Sequence, residues 1–372
     1  MKIKPFRALY PNFDFIASPD AFCDNAKESF REFQSSGLFS HFPEAAFYIY
    51  QIEDGVRLHT GLVTLNEVED FFAGKMKKHE KTLSEKEQHQ MQLFLRWNAI
   101  LKPVLLTYPS VPEIDHWLGQ FTRQGPQLCA ARFEKDGQVH RIWPVTAPAD
   151  IAQLQALFAE HVHRTYIADG HHRTSTIALL HERLRDREHQ DYDFDHLFCA
   201  FFGAAQLDIL DYNRVVESPK DLSLPHFLIK MSKIFELDVL DDLRRPLHKH
   251  EMLMYLRKAW YVLRWKPDIL QSFPADRVLL DAALLNERVM RDILGIQDVR
   301  TDSRIRYVEG SKGLRGIQKV ANERRNSIGF ALYPVDFDDL MRMADLDESL
   351  PPKSTYFEPR LRSGMLVKLL KN

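Results

Sequence analysis

A chain of 372 residues with 45% hydrophobic and 27% charged side chains has ordinary globular composition, long enough for two domains, and is neither disordered nor fibrous in character. Fifty basic against fifty-two acidic side chains leave a formal charge of −2, so there is no overall electrostatic pull toward nucleic acid or an anionic membrane. Cys23, Cys129 and Cys199 lie far apart without C-x-x-C spacing, which argues against a thiolate zinc site or a disulfide framework and for a reducing, cytoplasmic setting. The opening Met1-Lys2-Ile3-Lys4-Pro5-Phe6-Arg7 has charge but no apolar core behind it, unlike a signal peptide. No stretch approaches the roughly 20 apolar residues of a membrane span, so a soluble protein is expected.

Residues 45–65 place two β-rich runs around Asp54-Gly55, the strongest short-range hairpin signal in the chain. A helix is expected from Ser84, with its hydroxyl capping the backbone, Glu87 reaching back, and Met91, Phe94 and Leu95 on the buried side. Residues 102–108 read as a strand, with Pro103 near its start. A second hairpin is expected around Asp136-Gly137, joining residues 128–133 to 139–143. Residues 149–160 then set Ile151, Leu154, Leu157 and Phe158 on one helical face.

The next stretch, Thr165-Tyr166-Ile167-Ala168-Asp169-Gly170-His171-His172-Arg173, carries the most chemistry. An apolar run ends in Asp-Gly, three cationic or cation-capable side chains follow, and apolar residues then recur at helical spacing through Leu180. It reads as strand, sharp turn, helix. The first N–H groups of a helix lack intrahelical partners and sit at the positive end of its dipole, so they attract anions. Gly170 permits positive φ and close approach of a ligand, and Arg173 adds a planar fork suited to phosphate. His171 and His172 can donate, ligate or carry protons near neutral pH. Asp169 can bind a metal such as Mg²⁺ or orient a histidine. Phosphoryl transfer also wants a carboxylate to accept the proton of the nucleophile, and Lys77-Lys78-His79-Glu80-Lys81-Thr82 offers Glu80 in a cationic setting. A metal site is the competing arrangement, since His161, His163, Asp169, His171 and His172 lie close in sequence.

Residues 183–193 are crowded with charge and read as a solvated helix end and loop, and residues 197–210 return to strand character. From about residue 218 the style changes. Phe227, Met231, Ile234 and Phe235 mark an amphipathic helix, residues 259–265 a strand, and Leu284, Leu285, Val289 and Ile293 a helix closed by Gly295. Residues 305–308 and 328–333 are short strands flanking a helix rich in Arg and Lys. The expected organisation is an N-terminal α/β lobe over 1–218, a second, smaller α+β lobe over 219–345, and a C-terminal segment over 346–372. That last segment sets Lys353, Ser354, Thr355 and Tyr356 between Pro352 and Pro359. Such stiffened donors are expected either to complete the site at residues 169–173, with Thr82 a further candidate, or to anchor the final strand in the core through Tyr356 and Phe357.

With these pieces in order, the whole chain resembles a prokaryotic family known as domain of unknown function 1015. The resemblance rests on Ile3-Lys4-Pro5-Phe6-Arg7-Ala8, His79-Glu80-Lys81-Thr82, the core from Ile167 to Arg173, Asn213-Arg214-Val215-Val216, Ile305-Arg306-Tyr307-Val308, and Pro352-Lys353-Ser354-Thr355-Tyr356-Phe357-Glu358-Pro359. It departs from the family at Ala17-Ser18-Pro19-Asp20-Ala21-Phe22 and at the helix opening Arg173-Thr174-Ser175. The Asp-Gly-His-His-Arg turn is in addition similar to the phosphate-binding turn of the ParB and sulfiredoxin-like superfamily, which includes kinases that phosphorylate free serine. That likeness implies that Gly170, His171, His172 and Arg173 hold phosphate and that Glu80 serves as base.

The expectation is therefore an α/β (α+β) protein with a mixed-sheet lobe carrying a phosphate-binding turn. Its expected function is phosphotransfer on a small-molecule substrate, with Glu80, His172 and Asp169 catalytic and with ATP or ADP and Mg²⁺ as cofactors. A nucleotide-sensing module without turnover and a metal-dependent hydrolase are the alternatives.

Overall fold

The computed structural model describes residues 1–80, 82–184, 192–219, 222–274, 276–324 and 326–371. Most of the charged stretch expected as a loop at 183–193 lies outside the described residues. The chain divides into two compact units, Met1–Asp208 with Pro359–Asn372, and Ile209–Glu358. The changeover thus falls about ten residues before the one read from composition, and the end of the chain belongs to the first unit.

Among the described residues the first unit holds a nine-stranded mixed sheet. Its order is Met76–Lys77, Thr165–Asp169, Val104–Tyr108, His196–Gly203, Leu58–Glu67, Phe47–Glu53, Val139–Val145 and Cys129–Arg132, and Ile3–Lys4 also pairs with Leu58–Glu67. Two pairings are parallel, Met76–Lys77 with Thr165–Asp169 and Val104–Tyr108 with His196–Gly203. Both expected hairpins form. Gly55 and Gly137 turn with φ of +85° and +74°, a region glycine enters without penalty. The Asp54 carboxylate accepts the backbone N–H groups of Val56 and Arg57, each at 2.9 Å, which locks the first turn.

The helix Pro148–His161 buries Leu154 and Phe158, and the Phe158 ring meets Phe201 edge-on at 5.3 Å. Full burial of each such side chain stabilises the fold by about 1.5–3 kcal/mol. The helix expected from Ser84 spans Ser84–Trp97, but Leu83 holds the cap position and no side chain caps it. Ser84 is already the first helical residue, one position too far in for its hydroxyl to reach back. Phe94 is buried as expected, whereas Leu95 is 40% exposed and Trp97 takes the remaining core position. A second, four-stranded sheet in this unit runs Phe39–His41, Ala8–Pro11, Val367–Leu369, Ala99–Ile100.

The second unit is built on a six-stranded antiparallel sheet in the order Phe235–Val239, Ala259–Trp265, Glu251–Leu256, Ser327–Ala331, Tyr212–Glu217, Ile305–Glu309. The helix Gly313–Asn322 contributes Ile317 and Ala321 to one apolar cluster with Val215, Leu253 and Tyr255. A larger cluster takes Phe227 and Met231 from Leu224–Ile234 together with Leu285, Val289 and Met290. Those last three sit on a stretch, Leu285–Arg291, wound as a π-helix where sequence pattern suggests a plain α-helix. The segment Lys353-Ser354-Thr355-Tyr356-Phe357 folds within this unit. The Lys353 ammonium lies 4.8 Å from the Tyr212 ring centre, the Tyr356 ring meets Tyr212 edge-on at 5.5 Å, and the Ser354 hydroxyl donates to the Pro351 carbonyl at 2.7 Å. Thr355 is half-buried beside them. Arg214, fully buried, donates to the Tyr212 carbonyl at 2.8 Å and to the Lys353 carbonyl at 3.4 Å, so it ties this segment to its own sheet.

Candidate functional site

Sheet topology, rather than nearness in sequence, assembles the candidate site in the first unit. Because Met76–Lys77 runs parallel to Thr165–Asp169, the two chains leave the sheet at the same end, and His79 and Glu80 emerge where Gly170 and His171 do. Val104–Tyr108 runs antiparallel to Thr165–Asp169, so the residues just ahead of it arrive at that end too. The register slips by one residue between Ile167 and Asp169, a bulge that re-aims the strand end directly before the turn. Ends of parallel strands that lead into helices are where α/β sheets place ligands.

The turn itself is Gly170 at φ +109°. The helix His171–Leu184 follows at once, and its first intrahelical bond runs from Thr174 N–H to the Gly170 carbonyl at 3.0 Å, reinforced by the Thr174 hydroxyl at 3.2 Å. The amides of His171, His172 and Arg173 precede that bond and form the positive end of the helix. This helix packs against Ser84–Trp97, with the Thr176 hydroxyl donating to the Glu87 carbonyl at 3.4 Å.

Asp169 organises the charges. One of its oxygens, Oδ2, meets Arg173 Nη2 at 2.9 Å and Lys102 Nζ at 3.0 Å. Burial alone would raise the Asp169 pKa, but Arg173 and Lys102 outweigh it and hold the carboxyl well below the usual range. Lys102 is lowered, first by burial and against the pull of Asp169. The Arg173 side chain is 15% exposed, and its Nε, buried, makes no hydrogen bond. Only part of the guanidinium fork is therefore spent on Asp169.

His171 and His79 form the other half of the site. Both are buried, with rings edge-on at 4.5 Å. The His79 backbone N–H points to His171 Nε2 at 3.5 Å, and His171 Nδ1 stands 3.6 Å from Glu80 Oε2. Burial, reinforced by His79, drives the His171 pKa well below its ordinary value, and burial lowers His79 to about 4. The Glu80 carboxylate is 56% exposed. His172 is partly exposed, its Nδ1 without a partner, and its pKa is lowered by burial and then Lys86, against Glu80 and Glu87. Thr82 is half-buried on the loop that follows Glu80.

The structure thus brings together Glu80, Asp169, Gly170, His171, His172 and Arg173. Lys353, Ser354, Thr355 and Tyr356 belong to the second unit. Lys102 and His79 were not among the residues singled out from sequence as site-forming. A lysine directly ahead of a Pro-led strand was the available signal for Lys102, and His79 sat beside Glu80 in a motif already read. Among the described residues no group of three or more His, Cys, Asp or Glu could hold a metal ion, so the convergent ligands a metal-dependent hydrolase needs are not found there. No described helix is long and apolar enough to cross a membrane.

A family model described as "Protein of unknown function (DUF1015)" matches residues 7–289. No curated protein matches the chain. Among solved structures, the chain is similar to SbnI with a C-terminal truncation from Staphylococcus aureus, at 11% identity and a TM-score of 0.43, over 82% of this chain and 87% of that one. It is also similar to a free serine kinase in complex with AMP, at 12% identity and a TM-score of 0.40, over 83% and 91% of the two chains. A conserved hypothetical protein from Pyrococcus furiosus is similar at 12% identity and a TM-score of 0.35, over 82% and 95%.

Proposed function

This chain belongs to the DUF1015 family, and from its site we propose that it is a nucleotide-dependent phosphotransferase acting on the hydroxyl of a small metabolite. One observation carries the reading: two cations, Lys102 and Arg173, are fixed on a single oxygen of Asp169 at the N-terminus of a helix, with the Glu80 carboxylate 3.6 Å from that helix's first side chain. Held cations beside free helix amides suit phosphate, and catalysis of its transfer is mainly positioning and charge neutralisation. A carboxylate within reach distinguishes a catalyst from a module that only senses nucleotide.

In this reading the Arg173 fork, Lys102 and the helix amides take up the phosphate charge. Glu80 accepts the proton of the acceptor hydroxyl as its oxygen bonds to phosphorus and the bond to the departing phosphate breaks. Asp169 acts as the clamp for Lys102 and Arg173. It does not suit Mg²⁺, because a divalent cation there would face two like charges already seated on the carboxylate. A nucleotide such as ADP or ATP fits a site with an unspent guanidinium nitrogen.

Calorimetric titration with ADP and ATP, followed by a transfer assay over a panel of small hydroxylated metabolites, tests the reading. The expected result is nucleotide binding by the wild type, and in Glu80→Gln retained binding with transfer reduced about 10²- to 10⁴-fold, the usual range for loss of a general base. If neither nucleotide binds, the reading fails. Binding without transfer to any acceptor would make the protein a sensor.

A further inference from the structure

We infer that His171, the first residue of the helix, is not a phosphate ligand but the positioning residue for Glu80, with His79 fixing which ring nitrogen faces that carboxylate. The inference rests on the phosphotransfer reading for its consequence, but its geometry stands alone. His171 presents its Nε2 to the His79 backbone N–H at 3.5 Å. A nitrogen facing an N–H donor must offer its lone pair, so in the neutral ring the proton resides on Nδ1. That nitrogen is the one 3.6 Å from Glu80 Oε2. The edge-on His79 ring at 4.5 Å blocks rotation of the imidazole, and both rings are closed off from solvent.

Two consequences follow. A neutral ring whose single N–H is directed at Glu80 adds no positive charge to a phosphate grip, which falls instead to Lys102 and Arg173. Glu80 itself is largely exposed and on its own would sample several rotamers, so a fixed donor at its side selects one of them. The present separation is slightly longer than a hydrogen bond, and such contacts tighten when substrate closes the site.

Three measurements test this. Long-range ¹⁵N–¹H correlation spectra of the histidine rings, assigned with His171→Gln, should show His171 as the neutral Nδ1–H tautomer. An Nε2–H tautomer overturns the inference, and this readout needs no activity or ligand. Titration of folded His171→Ala with ADP should give an affinity within about twofold of the wild type, whereas a loss of tenfold or more would make His171 a phosphate ligand. In transfer assays His171→Asn, which keeps a donor near the Nδ1 position, should recover most of the kcat that His171→Gln loses, with KM for ADP unchanged in both. Equal loss in the two variants overturns the positioning role. A wild type that binds neither ADP nor ATP would sink the proposed function, and the tautomer spectrum would still decide the placement of His171.

Discussion

Gly170 lies directly beneath the Arg173 guanidinium: a Cβ at this position would stand 2.7 Å from Nη2 and 3.0 Å from Nε, on a backbone held at φ +109°. The sharp turn and the arginine fork therefore depend on the same missing atom. Gly170→Ala is expected to lower stability by about 1–3 kcal/mol from backbone strain and to push Arg173 off Asp169. Urea unfolding reports the first effect and ADP titration the second. A variant as stable as the wild type would show that the turn relaxes without cost.

Arg173→Ala is expected to weaken ADP binding by about 1.5–3 kcal/mol, the range for a hydrogen bond to a charged group, while the protein stays folded. Lys102→Met should weaken it as well and reduce its dependence on salt, since one fewer cation faces the phosphates. Calorimetry at two ionic strengths measures both. Unchanged affinity in both variants would reduce the pair to structural partners of Asp169.

Stability should depend on pH through two buried histidines. His140 shares a 2.8 Å hydrogen bond with the Tyr50 hydroxyl, and burial, then nearby Arg362, lower its pKa to about 3. Burial lowers His79 to about 4. Unfolded imidazoles titrate near about 6.5, so between these values only the unfolded chain takes up the proton. Their stabilisation is complete above about pH 6.5 and falls with pH by about 1.4 kcal/mol per unit for each ring. Chemical unfolding of His140→Gln between about pH 4.5 and 6.5 should show a slope smaller by one proton than the wild type. Parallel profiles would mean that His140 protonates as easily folded as unfolded.

In the second unit Gly329 lets the helix Gly313–Asn322 press onto the sheet, because a Cβ there would sit 2.3 Å from Ile317 Cγ2. Gly329→Ala is expected to destabilise by about 1–3 kcal/mol through overpacking. The compensating pair Gly329→Ala with Ile317→Leu should recover part of that loss in thermal unfolding, because leucine is not branched at Cβ and carries no Cγ2 methyl at the contact.

Local chemistry made much of the molecule readable beforehand. Asp54-Gly55 and Asp136-Gly137 encode their turns within four residues, and the run from Thr165 to Arg173 encodes strand, turn and helix by itself. Lys102 was not readable as a site residue, because what sets it on Asp169 is the antiparallel pairing of two strands some sixty residues apart, with a bulge between Ile167 and Asp169. Sheet order is a property of the whole fold and leaves no mark beside either residue. Ser84 and Leu95 show the opposite failure. Each fits a local pattern, but the helix begins one residue earlier than its capping box needs, and Trp97 occupies the core position assigned to Leu95.

The strand Val367–Leu369 lies between Ala8–Pro11 and Ala99–Ile100, so a sheet begun by the first hundred residues is finished only by the last few. During synthesis the first unit must wait with an open edge until the ribosome reaches its end, while every residue of Ile209–Glu358 has already been made. The closing contacts of the first unit are among the longest-range in the chain, a kind that pays a large loop-closure entropy before it is rewarded. A released chain ending just past residue 358 should carry a protease-resistant second unit and a still-sensitive first, because the strand that fills the gap in the four-stranded sheet is missing.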